Sequence, residues 1–319
     1  MFKLIFSLAR KCVAYFFASL LMLVTPAFAE AITVPFGWVT GQVRIYQLSS
    51  RTERLGDLRG GNCTLNGQLR VEVLKREGKS ANLRFQLSAL KRDDACKTPS
   101  LHQMLWLRLS ETPLDATLEP EAGNVALPNL VAVREKIFTS LEDSPLLFGM
   151  SVDRDTRVEI AQSFRKILFA DAVTVAQATG FINEFAGVIG EVYETDTPSS
   201  LSTSLPNPFG GEPLLGTVSI EAKSGAKGSG EFSVKQIIRF DAKEYKAAIR
   251  KMAAQAGAGK VFKSDIEALD KRGTTAGSVT TQRIEQKTGW IIEAESTTTA
   301  QLGEGTQVVK VKMLYQPVK

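Results

Sequence analysis

Hydrophobic and polar residues alternate with a period of two along much of this chain. Leu69, Val71 and Val73 interleave with Arg70 and Glu72. After Glu77-Gly78-Lys79-Ser80, Leu83, Phe85 and Leu87 interleave with Arg84, Gln86 and Ser88. Two such runs around a glycine-containing turn predict an antiparallel hairpin with one buried face. Val43 and Ile45, alternating with Arg44 and Tyr46, predict an earlier strand. Leu105, Leu107 and Leu109, with Trp106 and Arg108 between them, predict a later one, and a shorter hairpin turns at Glu121-Ala122-Gly123-Asn124. Strands are expected again from Thr217 to Ala222 and Glu231 to Phe240, around the Gly/Ser-rich tip at 223–230. Three more are expected at Ser278 to Glu285, Trp290 to Thr299 and Gln307 to Tyr315.

Between these blocks the period becomes helical. Asn129 is an N-cap residue type, and Leu130, Val133, Ile137, Phe138 and Leu141 follow on one face. A second helix is expected after Asp155. A third, from Asp171 to about Tyr193, carries Phe181, Phe185, Val188, Ile189 and Val192. Gly180, Gly187 and Gly190 weaken that helix by roughly 1 kcal/mol each against Ala, which implies close approach of another backbone. Asp241-x-x-Glu244 is a capping box opening a helix with Tyr245, Ala248, Ile249 and Met252 on one face, and Ser264-x-x-Glu267 opens a shorter one.

The order strands, helices, strands, helices, strands predicts an α+β fold: antiparallel sheet, curved and packed over helices, in two half-barrel-like units or one broad one. The expected organisation is a segment 1–29 set apart, a β-rich part 30–194 ending in helices, a Ser/Pro/Gly-rich loop or linker 195–213, and a β-α-β part 214–319. One continuous domain is the alternative organisation.

Residues 1–29 have the three parts of a secretory signal: Lys3, Arg10 and Lys11 without an acid, an apolar run from Cys12 to Val24, and Ala27-Phe28-Ala29 before the cleavage point. The run of about 13 residues is short against the roughly 20 that span a bilayer. Cleavage after Ala29 is expected to send a soluble chain, with no later transmembrane span, to the periplasm or outside the cell. It also changes the charge. The whole sequence carries 39 basic and 34 acidic side chains; without the three basic residues of the signal the excess falls to about two. The charges are interspersed, with no basic stripe of the kind nucleic acid requires. Cys12 is removed too, leaving Cys63 and Cys96 to form one structural disulfide in an oxidising compartment.

The sequence offers no catalytic, cofactor or metal motif. His102 is the single histidine, so a Ser or Cys triad has only one candidate base, and no G-x-S-x-G elbow is present. Ala256-Gly257-Ala258-Gly259-Lys260-Val261 lacks the leading Gly and the trailing Ser or Thr of a phosphate loop. The neighbouring acids Asp93/Asp94, Glu119/Glu121 and Asp153/Asp155 fall where acids serve as turn and cap residues. Two thiols and one histidine do not close a zinc shell.

The segment Glu285-Gln286-Lys287-Thr288-Gly289-Trp290 resembles the D/E-x-x-T-G-W/L hairpin of an uncharacterised group of exported bacterial β-rich proteins. Those proteins also place helices before a Leu-Pro loop, as at Leu205-Pro206. The resemblance implies export and a β-rich fold, and no catalytic residue. In layout the chain is also similar to the half-barrel lipoprotein-carrier folds of the bacterial envelope. The expectation is therefore a non-enzymatic envelope protein without a cofactor that binds or carries an apolar small molecule or lipid. Tyr46, Trp106, Phe181, Phe185 and Trp290 are its candidate lining, and Trp106 alternatively packs under a helix. An envelope interaction or assembly factor, acting through an edge strand or the loop near Leu201 to Pro208, is the second reading. An enzyme with dispersed acids is the third.

Overall fold

Long β-branched and aromatic alternation builds one sheet here. The computed structural model describes residues 31–56, 62–94, 96, 99–119, 124–138, 180–187, 189–209, 211–226, 228–255, 274–302 and 305–317, with isolated positions 155, 158 and 162. The signal-like segment, the helix after Asp155, most of the helix expected from Asp171 and the capping box at Ser264 lie outside the described residues.

A short ribbon pairs β1 (Ala31–Thr33) with β7 (Val192–Glu194). The other strands form one antiparallel sheet of eleven. Its first arm holds β2 (Val43–Leu55), β3 (Cys63–Glu77), β4 (Ser80–Arg92), β5 (Leu114–Glu119) and β6 (Asn124–Ala126). Its second arm holds β8 (Ser199–Leu205), β9 (Leu214–Ser224), β10 (Glu231–Phe240), β11 (Thr274–Glu285), β12 (Ile291–Leu302) and β13 (Gly305–Gln316). Each arm is a meander of neighbours in sequence, and the two join where β2 pairs with β13, Tyr46 opposite Tyr315 and Leu48 opposite Met313. The hairpin expected around Gly78 has Leu69 opposite Leu87, Val71 opposite Phe85 and Val73 opposite Leu83.

Among the described residues, four helices with defined bounds accompany the sheet: α1 (Leu101–Leu109), α2 (Leu130–Phe138), α3 (Ile182–Ala186) and α4 (Ala242–Gln255). With 9, 9, 5 and 14 residues they are subordinate to the strands. The α+β expectation is thus corrected: the described chain is mainly β, and its sheet is one broad unit.

Three local differences accompany the correction. The strand expected at Leu105 to Leu109 is α1, a run rich in Leu with no β-branched residue. Its start is a capping box, in which the Ser100 backbone N–H donates to Gln103 Oε1 at 2.9 Å and the Gln103 N–H donates to Ser100 Oγ at 3.3 Å. The helix expected to reach Tyr193 stops at Ala186, because Gly190 takes a positive φ of 78° and the chain turns into β7. Residues 199–205, in the stretch read as a loop, form the edge strand β8 along β9. Of the capping box expected at Asp241, the N-cap half forms, its carboxylate accepting from the N–H groups of Lys243 and Glu244 at 3.0 Å. The Asp241 N–H donates instead to the Leu215 carbonyl at 2.8 Å, and Glu244 accepts the Leu215 N–H at 2.6 Å.

Side chains alternate across the sheet, interrupted by irregularities at Asn66/Gln68, Val73/Lys75 and Arg283/Ile284. The open face carries an ion-pair lattice: Arg84 to Asp115, Lys312 and Arg283 to Glu293, and Lys310 to Glu53. The other face is covered by the helices and the ribbon. Over the first arm it is a hydrophobic core of Leu65, Leu69, Val71, Val73, Leu83, Phe85, Leu87, Leu114 and Leu118. Cys63 and Cys96 are joined in the expected disulfide. Beside it, Gln103 Nε2 donates to the carbonyls of Ser50 and Cys63, each at 3.0 Å, tying α1 to β2 and β3.

The Glu285-to-Trp290 turn serves this packing. Gly289 has φ +74°, and a Cβ there would lie 2.0 Å from the Pro35 carbonyl oxygen. The Gly37 N–H donates to the Thr288 carbonyl at 3.0 Å, and Trp290 stacks on Trp38 at 4.7 Å. Arg44 bridges to Glu285 at 3.0 Å while lying over the rings of Trp290 and Tyr315. The turn is therefore a structural lock between the segment before β2 and the β11–β12 hairpin.

Candidate functional site

The five residues proposed from sequence as ligand lining gather in one place. Phe185 is the hub, with ring centroids 5.6 Å from Tyr46 and Phe85 and 6.2 Å from Trp38 and Trp290. Phe181 joins through Phe85 and Trp106. All five are sealed from solvent and touch one another or further core residues. The Tyr46 hydroxyl donates to the Ile291 carbonyl at 3.0 Å, and burial pushes its phenol far above the ordinary value.

An open space lies next to this cluster, over the second arm. There the covered face of β10, β11 and β12 meets α3, the end of the ribbon and the loop at Pro208 around a cleft of about 270 Å³. None of the five aromatic candidates lines it. Helix α3 separates the two regions. Phe181, Ile182 and Phe185 turn into the aromatic core, whereas Gly180, Asn183, Glu184 and Gly187, at helical i, i+3, i+4 and i+7 spacing, edge the cleft.

The floor follows from register. Gln236 pairs with Thr280 and Thr280 with Ser296; one step along, Ile238 pairs with Ser278 and Ser278 with Thr298. Alternation presents all six on the covered face, giving four hydroxyls in a block with an amide and an isoleucine beside them. Thr280 Oγ1 donates to Ser296 Oγ at 3.0 Å. The walls are apolar: Ile220 and Val234 on one side, Phe240 and Ile238 toward α4, and Tyr193 from the ribbon. Phe240 itself packs on Tyr245 of α4, ring centroids 5.5 Å apart.

Glu184 is the one acid among the described lining residues, and no Lys, Arg or His lines the cleft with it. Buried Gln282 holds it with both amide hydrogens, donating to the Glu184 backbone carbonyl at 3.1 Å and to its carboxyl Oε2. Burial in the cleft wall pushes the Glu184 carboxyl up to about 7, against the lowering effect of the Gln282 hydrogen bond. Nothing in the hydropathy pattern marks this pair: the two residues are 98 apart in sequence. The available signal is an acid enclosed between Phe181 and Phe185 in an apolar segment.

The other sequence candidates have structural roles. Asp93 accepts the Thr64 N–H at 3.1 Å, and although its carboxylate lies near the two sulfurs, both are consumed in the disulfide. His102 packs tilted against Trp106, ring centroids 4.6 Å apart, and a Cβ at Gly180 would come within 2.8 Å of its ring. Glu121, Asp153 and the glycine run at 256–259 lie outside the described residues. Among the described residues, no helix is long and apolar enough to cross a membrane.

No protein-family model matches the chain, and no curated protein does. Among solved structures it is similar to lipovitellin, in a structure described as lipid–protein interactions in lipovitellin. The identity is 12%, the TM-score is 0.43, and the match covers 88% of this chain. The chain spans 26% of the length of that one.

Proposed function

We propose that this is an exported, non-enzymatic binding protein that holds an apolar ligand against the covered face of its sheet, in the cleft over β10 to β12. The observation that carries the reading is the contrast within one face: fully buried apolar side chains over the first arm and, over the second, a cleft with apolar walls around a polar floor. Ligand sites are concave, mostly apolar and oriented by a few polar groups. A single carboxyl among the described lining residues leaves two-acid chemistry without its second member. The disulfide is consistent with export.

The test is occupancy. Native mass spectrometry of protein before and after delipidation should show bound apolar mass in the first sample only, and an environment-sensitive apolar dye should bind the delipidated form. Ile238→Trp, which fills the cleft from its floor, should abolish dye binding while leaving the circular dichroism spectrum intact. Equal masses and no dye binding would end the carrier reading.

A second reading, an interaction or assembly factor, draws on β8. This edge strand, Ser-Ser-Leu-Ser-Thr-Ser-Leu, carries none of the charges or prolines that usually protect an edge, and Leu201 is 56% exposed. It predicts strand addition by a partner. Cross-linking from a cysteine placed at Ser200 should capture that partner, and Leu201→Lys should prevent it.

A further inference from the structure

The reading of the cleft as an apolar-ligand site leaves open which head group a ligand would carry. On that reading, we infer that the cleft takes a cationic amphiphile, its ammonium group on Glu184 and its chain along Ile238 and Phe240. Among the described residues, the lining contains one group able to bear a full charge at neutral pH, and that charge is negative. A carboxylate or phosphate head would meet Glu184 with no cation among the described lining residues to offset it. An ammonium head supplies the missing partner, with Thr280 and Ser296 on the floor to accept its further hydrogens.

The carboxyl is positioned for this. Gln282, 5% exposed, spends both amide hydrogens on Glu184 and fixes it from behind. Burial that holds the carboxyl up at about 7 shows that the cleft makes a lone negative charge costly. A bound cation removes that cost, so its gain exceeds that of an exposed ion pair. The other titratable lining group, Tyr193, is kept neutral by its own burial, which raises its phenol well above the ordinary value.

The experiment is calorimetry at pH 8 with dodecylammonium, dodecanoate and dodecyl glucoside, each below its micelle concentration. The proteins compared are the wild type, E184Q, and E295Q on the open face as a charge-matched control. Dodecylammonium should bind the wild type about tenfold or more tighter than the other two. That advantage should vanish in E184Q and persist in E295Q. A second readout needs no variant: dodecylammonium should lower the titration midpoint of Glu184 followed by carboxyl carbon NMR. Persistence of the advantage in E184Q, its loss in E295Q, equal binding of the three probes or an unmoved midpoint would each overturn the inference while sparing the cleft as a ligand site. If none of the probes binds the wild type, the cleft reading itself fails, and the head-group inference with it.

Discussion

The two arms of the sheet share one backbone plan and use their covered faces in opposite ways. On β3 and β4 the inward positions are Leu69, Val71, Val73, Leu83, Phe85 and Leu87, all buried in one core with the aromatic cluster. On β10 to β12 the equivalent positions include Gln236, Thr280, Ser278, Ser296 and Thr298, and a cleft remains. Alternation governs both, apart from a few bulges. What differs is the volume and polarity of the inward residue, which decides whether a face becomes core or cavity. Period-two patterning alone therefore finds a sheet and not its binding surface.

This contrast can be broken at its strongest point first. Phe185→Ala removes the hub of the packed region and should cost about 3–5 kcal/mol, whereas Thr280→Ala in the cleft floor should cost less than about 1 kcal/mol. Urea denaturation of the two variants checks this, and similar losses would show that both arms are core. Glu184 supplies an intermediate effect through pH. Its carboxyl holds its proton up to about 7 in the folded chain and only to about 4.5 when unfolded. Between those values the native state binds more protons, so stability falls as pH rises through that window and the loss is complete above it. The size should be on the order of 2 kcal/mol after allowance for partial contact with solvent. E184Q should flatten the slope and unfold later than wild type at pH 8 in thermal melts. The smallest effect belongs to the open face, where Lys312→Ala should change stability by about 0.5 kcal/mol or less and lose even that in high salt.

Much of the sheet is legible in the sequence, because each hairpin is local: the strands around Gly78, Ser224 to Gly230 and Gly289 carry their own turns. Capping is legible too when it is recognised, as at Asp241. The equivalent signal at Ser100-x-x-Gln103 lies beside a leucine run that mimics a strand, and there the capping box decides in favour of α1. On β2 the parity is the less obvious one. Tyr46, Leu48, Ser50 and Thr52 face inward, a set that includes two hydroxyls, because pairing with β3 and β13 fixes the register. The disulfide follows from counting. The cleft does not, since Glu184 and Gln282 meet only after the ribbon, α3 and β11 have been placed. The aromatic residues that draw attention in the sequence are those that large rings make most valuable to packing.

The pairing of β2 with β13 has a consequence for how the molecule is made. Contacts across that seam join residues 241 and 245 positions apart, Arg44 with Glu285 and Tyr46 with Ile291. Either meander can zip up from its own turns, yet each then presents a long raw edge at what will become the middle of the sheet. Joining them is a late, slow encounter of high contact order. Until it happens, a chain emerging one end first carries two sticky borders that must be kept from other molecules.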